Sequence, residues 1–173
     1  IHKLRPLNMY GYSKHLFDEW ALRHDVYTRI VGLKFFNVFG PRETHKGDMR
    51  SVVHKAYYEL LDKKTISLFK SDRQDYGDGE QKRDFIYVKD AVDVVLYFLD
   101  HPAANGLFNC GTGQARTWKD LAEAIFKSND RTVHINWIEM PAQLKGKYRY
   151  FTEADPRKLR AAGYAKDFTS LEA

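Results

Sequence analysis

Cysteine is nearly missing from this chain: Cys110 is the single one among 173 residues. That excludes an internal disulfide framework and a cysteine-rich metal site, and it fits a reducing compartment, so a cytoplasmic location is expected. No apolar run reaches the roughly 18–20 residues that a membrane-spanning helix needs, so the chain reads as soluble and no membrane partner is expected. Prolines number five, and no low-complexity tract occurs. The seven histidines show no metal-ligand spacing, and no Ser/His/Asp nucleophile arrangement is visible. Metal is therefore not expected.

Charge of one sign is in modest excess, at +5 with a pI of about 9.2. The basic residues are interleaved with 23 acids and form no dense block with aromatics, so nucleic acid is not the expected partner. A basic cleft for an anionic small molecule fits the same balance. What is present is ordinary globular material: 43% hydrophobic, 14% aromatic and 29% charged residues, enough for a domain with a sizeable core.

Helical and extended patterns alternate along the chain. Leu16, Phe17, Trp20 and Ala21 fall at helical spacing over residues 10–24, with Ser13 and Asp18 on other faces. The run "RIVGLKFFNVFG" (29–40) reads as one strand buried on both faces, ended by Gly40-Pro41. A helix is expected over 51–63, a strand over 65–69, and a long polar loop over 70–83. "DFIYV" (84–88) is a strand, with Asp90 as the expected cap of the helix that follows. "GLFNCG" (106–111) is strand-like, and Thr117 with Asp120 makes a capping box for a helix over 117–128. Residues 133–140 alternate as a half-buried strand, and a helix lies around "EADPRKLRAAG". The pattern gives an α/β fold with a largely parallel sheet. Both ends read as interrupted: the chain opens on Ile1 ahead of a helix, and "TSLEA" starts a helical turn and stops. A piece of a larger α/β protein is the expectation.

Four constellations carry chemical interest. Tyr10 and Lys14, at i and i+4, share a helix face and place an ammonium beside a phenol. A tyrosine that accepts a proton near neutral pH needs its pKa lowered by roughly 3 units, and a neighbouring cation pushes that way. The same spacing also arises as a lysine stem lying over the core. Asn37 and Val38 stand at the carboxyl end of the long strand, the edge where open α/β sheets bind ligands. The loop after it presents His45 and Lys46; Lys46 is either a proton donor in a cleft or a solvated loop lysine. Arg83 precedes a strand and suits either a pyrophosphate or a salt bridge with Asp84 or a neighbouring acid. "CGTGQA" (110–115) lacks the third small residue of a dinucleotide fingerprint, because Arg116 stands there, and reads as a tight turn.

Taken together, "YGYSK", "KFFNVFGPRETHKGDMRSVV", "KRDFIYVKDAVDVVLYFL", "GLFNCGTG" and "LKGKYRYFTEADPRKLRAAGY" resemble the C-terminal part of the ADP-glyceromanno-heptose 6-epimerase family. These are extended short-chain dehydrogenases/reductases of lipopolysaccharide inner-core synthesis. The resemblance implies a Rossmann-type fold whose N-terminal dinucleotide-binding part is absent here. Residues 1–50 would be the last part of the Rossmann-like catalytic region, and 51–173 mainly the substrate-binding portion. It implies NADP as cofactor (NAD being the alternative), ADP-heptose as substrate, and a homo-oligomer at full length. The family's cofactor takes hydride from C6″ of the heptose and returns it to the opposite face. By the same resemblance Tyr10 and Lys46 are the catalytic pair, and Lys14, Val38 and Lys46 bind cofactor. Asn37, Asp48, Lys55, Phe69, Lys70, Ser71, Asp72, Arg83 and Tyr148 fall at substrate-binding positions. Asp48 and Lys55 stand where the family is expected to place a serine and a histidine.

Two other readings share much of this pattern. A sugar-nucleotide 4-epimerase or dehydratase would keep Tyr10, Lys14 and the N-V-F-G-P-R edge without the Lys46 loop. A non-catalytic sugar-nucleotide-binding module fits the lack of a complete phosphate-cradling loop.

Overall fold

The computed structural model describes residues 4–173. Helix α1 (Met9–Arg23) opens on Asn8, whose side chain accepts from the Gly11 amide at 2.8 Å. Next come β1 (Val31–Phe35) and β2 (Asn37–Phe39), two tight 3₁₀ turns over Thr44–Met49, and α2 (Val52–Lys63). β3 (Ile66–Phe69) leads through a turn-rich loop to β4 (Lys82–Tyr87) and α3 (Val88–Asp100). The remainder is β5 (Gly106–Cys110), β6 (Ala115–Thr117), α4 (Trp118–Ser128), β7 (Ile135–Ile138) and a short α5 (Arg157–Ala161).

Among the described residues, three of the four strand pairings are parallel: β1 with β5, β2 with β4, and β3 with β7. β4 also pairs antiparallel with β6, a three-residue strand the sequence reading did not anticipate. The expected single strand over 29–40 is instead two. It breaks at Phe36, whose amide turns to the Cys110 carbonyl at 3.0 Å, and the two halves then pair with different neighbours. Both halves are only partly buried, so the double-sided burial expected from the apolar run is not met.

β4 divides the interior. Because side chains alternate across a strand, Phe85 enters one core and Ile86 the other. The first core joins Leu60 of α2 and Ile66 and Leu68 of β3 to Leu121, Ile125 and Phe126 of α4. The second joins Val94 and Phe98 of α3 to Phe108 and Cys110 of β5, Leu159 and Tyr164. The Thr117/Asp120 capping box forms as expected, with both bonds at 2.9 Å. Asp90 is not the cap of α3; Tyr87 occupies that position, and Asp90 in the first turn accepts from the Thr169 amide and hydroxyl.

α1 departs most from its sequence pattern. Leu16, Phe17 and Trp20 are about half exposed, whereas Asp18 is buried. Tyr27 donates to Asp18 at 2.7 Å and Lys34 of β1 binds its other oxygen, so a tertiary ion pair decides which face turns inward. The final residues, expected to begin a helix, form a turn. Among the described residues, no helix is long and apolar enough to cross a membrane, and no cluster of His, Cys, Asp or Glu is arranged to hold a metal ion.

Candidate active site

The sequence-expected residues fall into three groups. The first is on α1. Tyr10 is 75% exposed, and the Lys14 ammonium sits 5.2 Å from its ring centroid, so one helical turn does bring cation and phenol together.

The second group surrounds the loop between β2 and α2. Asn37 and Val38 lie in β2 opposite Phe85 and Ile86 of β4. Lys46 follows in the 3₁₀ turns, its ammonium 3.4 Å from the buried Glu43 carboxylate. Asp48 and Lys55 meet each other: the Lys55 ammonium donates to the Asp48 backbone carbonyl at 2.6 Å, which ties the loop to α2. Among the described residues, no hydrogen bond or ion pair links Tyr10 or Lys14 to Lys46.

The third group converges from four segments on Tyr148. Phe69 meets its ring edge-on at 6.3 Å, and Tyr150 does so at 5.8 Å. Trp118 Nε1 donates to its hydroxyl at 2.9 Å, and the Arg83 guanidinium lies 5.1 Å from its ring centroid and 5.7 Å from that of Trp118. Ser71 and Asp72 are held beside it by Tyr150: the Tyr150 hydroxyl binds the Asp72 carboxylate and accepts from the Asp72 amide at 2.9 Å. Lys70 points to the periphery, paired with Glu139 at 2.9 Å.

Arg83 is the unusual member. It is 9% exposed, and its only bond among the described residues runs from Nη1 to the Lys82 carbonyl at 2.8 Å. The expected salt bridge with Asp84 or a neighbouring acid does not form among the described residues, and Asp84 is engaged by Thr112, Gly113 and Ala154. Burial pushes the Arg83 pKa down, with Tyr148 opposing and Arg149 adding to the push, yet an arginine stays charged. Buried charges ordinarily have a partner of opposite sign. Here two aromatic faces flank the cation and several N–H groups remain available, an arrangement suited to an anionic ligand. Burial likewise raises the Tyr148 pKa against the pull of Arg83 and of the Trp118 bond, so its hydroxyl is neutral.

The "CGTG" turn also binds an anion, but the anion belongs to the chain. Asp84, fully buried, accepts from the Thr112 amide and hydroxyl, the Gly113 amide and the Ala154 amide at 2.7–3.0 Å. Gly113 has φ +77°, as the tight turn requires. The amides a dinucleotide phosphate would need are occupied. Trp118, Tyr150 and Glu43 were not anticipated; Trp118 follows the Thr117 cap directly, and that placement was the available signal.

The sequence pattern of the NAD dependent epimerase/dehydratase family matches residues 1–111. The chain belongs to this family. Within it, the chain is 56% identical over 170 residues to an ADP-L-glycero-D-manno-heptose-6-epimerase of Nitratidesulfovibrio vulgaris, covering 98% of this chain and 53% of that protein. It is 45% identical to the protein of the same name from Fusobacterium nucleatum, covering 99% of this chain and 54% of that one. The chain thus spans about half the length of the curated relatives it matches. The fold resembles the crystal structure of the Helicobacter pylori ADP-L-glycero-D-manno-heptose-6-epimerase, with a TM-score of 0.77 and 26% identity over 97% of this chain and 49% of that one. It also resembles a UDP-glucose 4-epimerase from Thermus thermophilus solved with NAD, with a TM-score of 0.76 and 24% identity over 97% of this chain and 52% of that one. The epimerase/dehydratase chain is therefore mixed α/β of Rossmann type, as expected, and its family uses a nicotinamide dinucleotide.

Proposed function

We propose that this chain supplies the acid–base groups and the sugar-nucleotide pocket of an epimerase. The longer enzyme interconverts ADP-D-glycero- and ADP-L-glycero-D-manno-heptose at C6″ with NADP, for the lipopolysaccharide inner core. The observation that carries the reading is the 45–56% identity, over nearly the whole chain, to proteins named for that reaction. Assembly as a homo-oligomer and a cytoplasmic location belong to the same reading.

The residues of α1, β2 and the loop after it fit one end of the dinucleotide. The exposed Tyr10/Lys14 pair suits the nicotinamide ribose, with Val38 and Lys46 as further contacts, while Asp84 already occupies the amides of the "CGTG" turn. When bound there, the nicotinamide would supply reversible hydride transfer at C6″. Tyr10 moves the proton of the C6″ hydroxyl, with the Lys14 ammonium 5.2 Å from its ring centroid. Lys46 serves as the second proton-transfer group, because inversion presents the carbon's two faces in turn. The Arg83 guanidinium holds the diphosphate between Trp118 and Tyr148, and Asn37 orients the sugar.

The test is turnover of ADP-heptose by the longer protein. Tyr10→Phe and Lys46→Met are each expected to lower kcat by about a hundredfold or more while ADP-heptose still binds. Full turnover of ADP-heptose by Lys46→Met would overturn the role of Lys46, and no turnover of ADP-heptose by the unsubstituted longer protein would favour a 4-epimerase or dehydratase. The 173-residue chain alone is expected to be inactive, and clear epimerisation by it would overturn that part of the reading.

A further inference from the structure

We propose that Glu43 is a positioning residue for Lys46, fixing the lysine's loop and ammonium against the start of α2. The inference rests on the reading of Lys46 as a proton-transfer group. The loop that carries Lys46 has little regular structure to hold it: Arg42 has φ +65°, and Gly47, at φ +54° and ψ −125°, interrupts its 3₁₀ turns. A lysine on such a loop has a long flexible stem, so its ammonium samples a wide volume unless something restrains it.

Glu43 provides restraint at two points. Its backbone carbonyl accepts from the Lys46 amide at 2.9 Å, and its carboxylate lies 3.4 Å from the Lys46 ammonium. The carboxylate is itself fixed. Although Glu43 sits in a loop, it is 5% exposed, and it accepts from the Ser51 amide at 2.7 Å and the Ser51 hydroxyl at 2.6 Å. Ser51 is the N-cap of α2, accepting from the His54 amide at 3.1 Å, so the negative charge stands ahead of a helix N-terminus where the helix dipole favours it. The chain of contacts runs from a rigid helix through Ser51 and Glu43 to a side chain otherwise about half exposed. The far side of the loop is held separately, by Lys55 on the Asp48 carbonyl and by Arg50 Nε on the Gly47 carbonyl at 2.6 Å. Loss of Glu43 therefore frees the ammonium without releasing those loop contacts.

Two variants separate positioning from plain loop stability. Glu43→Gln removes the charge facing Lys46, whereas Ser51→Ala removes one bond to Glu43 and leaves that charge in place. On the 173-residue chain, amine acylation of Lys46, normalised to Lys63, is expected to rise about threefold in Glu43→Gln and less in Ser51→Ala. In the longer protein, Glu43→Gln is expected to lower kcat by about tenfold or more with the KM for ADP-heptose little changed, since misplacing a catalytic group acts on the chemical step. Unchanged Lys46 acylation and unchanged kcat in Glu43→Gln would overturn the proposal, as would Ser51→Ala matching it in both measurements. If Lys46→Met proves fully active, the reading of Lys46 fails, and acylation still decides whether Glu43 holds it.

Discussion

Asp84 binds Thr112 twice, through the amide at 2.8 Å and the hydroxyl at 2.7 Å. Its other oxygen takes the amides of Gly113 and Ala154. One buried carboxylate thus fastens the turn after β5 and the segment after Tyr148 to the strand that carries Arg83. Asp84→Asn keeps the shape but puts an amide N–H₂ where only acceptors fit, leaving at least one buried N–H without a partner. The expected loss is about 2–3 kcal/mol in chemical denaturation. A midpoint equal to the parent's would show that the four bonds contribute nothing net.

Glu43 gives a pH-dependent counterpart. Burial raises its pKa, but the Ser51 hydroxyl and amide and the Lys46 ammonium outweigh that and hold it below the ordinary 4.5. A carboxylate whose folded pKa is depressed contributes stability that is fully present above its unfolded value and lost as pH falls through the folded one. The stability gap between the parent chain and Glu43→Gln should therefore be constant above about pH 6 and shrink as the pH is lowered below about 4.5. Denaturation midpoints across that range provide the check, and a gap that widens on acidification reverses the sign argued here.

How much of this was legible follows the range of the determinants. The Thr117/Asp120 box needs only neighbours three residues apart, and it was readable. So was the rejection of "CGTG" as a dinucleotide loop, because Arg116 stands where a small residue belongs. The break at Phe36 was not, since a nearly continuous apolar run gives no local sign that β5 and β4 claim its two halves separately. Of the expected inward face of α1, Ala21 is buried but Leu16, Phe17 and Trp20 are not, and Asp18 is buried instead by Tyr27 and Lys34, partners outside the helix. Arg83 and Tyr148 were both singled out, but their meeting under Trp118 depends on packing that no spacing encodes.

Cys110 should behave as core rather than as a reactive thiol. It is fully buried on β5, and burial, reinforced by Asp84 and Asp90, pushes its pKa up to about 12. At pH 8 almost no thiolate exists and no path leads a reagent to it. The native chain is expected to react with an aromatic disulfide reagent only as fast as it unfolds, and at once in denaturant. Rapid stoichiometric labelling under native conditions would contradict this.

On the proposed reading, Arg83 ties stability and anion binding to opposite ends of one substitution. A buried cation without a carboxylate weakens the unliganded fold relative to an apolar side chain of similar length, and becomes useful only when an anion arrives. Arg83→Met is therefore expected to leave the chain as stable as the parent or more so, because the methionine keeps the contact with Trp118 and Tyr148. In the longer protein the same change should weaken ADP-heptose binding by about tenfold or more, the loss of a charge-assisted bond to phosphate. Arg83→Lys should recover only part of that affinity, since an ammonium cannot reproduce the planar fork or its stacking between two rings. Thermal denaturation of the chain and calorimetry with ADP-heptose measure the two sides independently. If Arg83→Met lowers stability and leaves affinity intact, the guanidinium is a packing element held by its aromatic neighbours and not the anion's anchor.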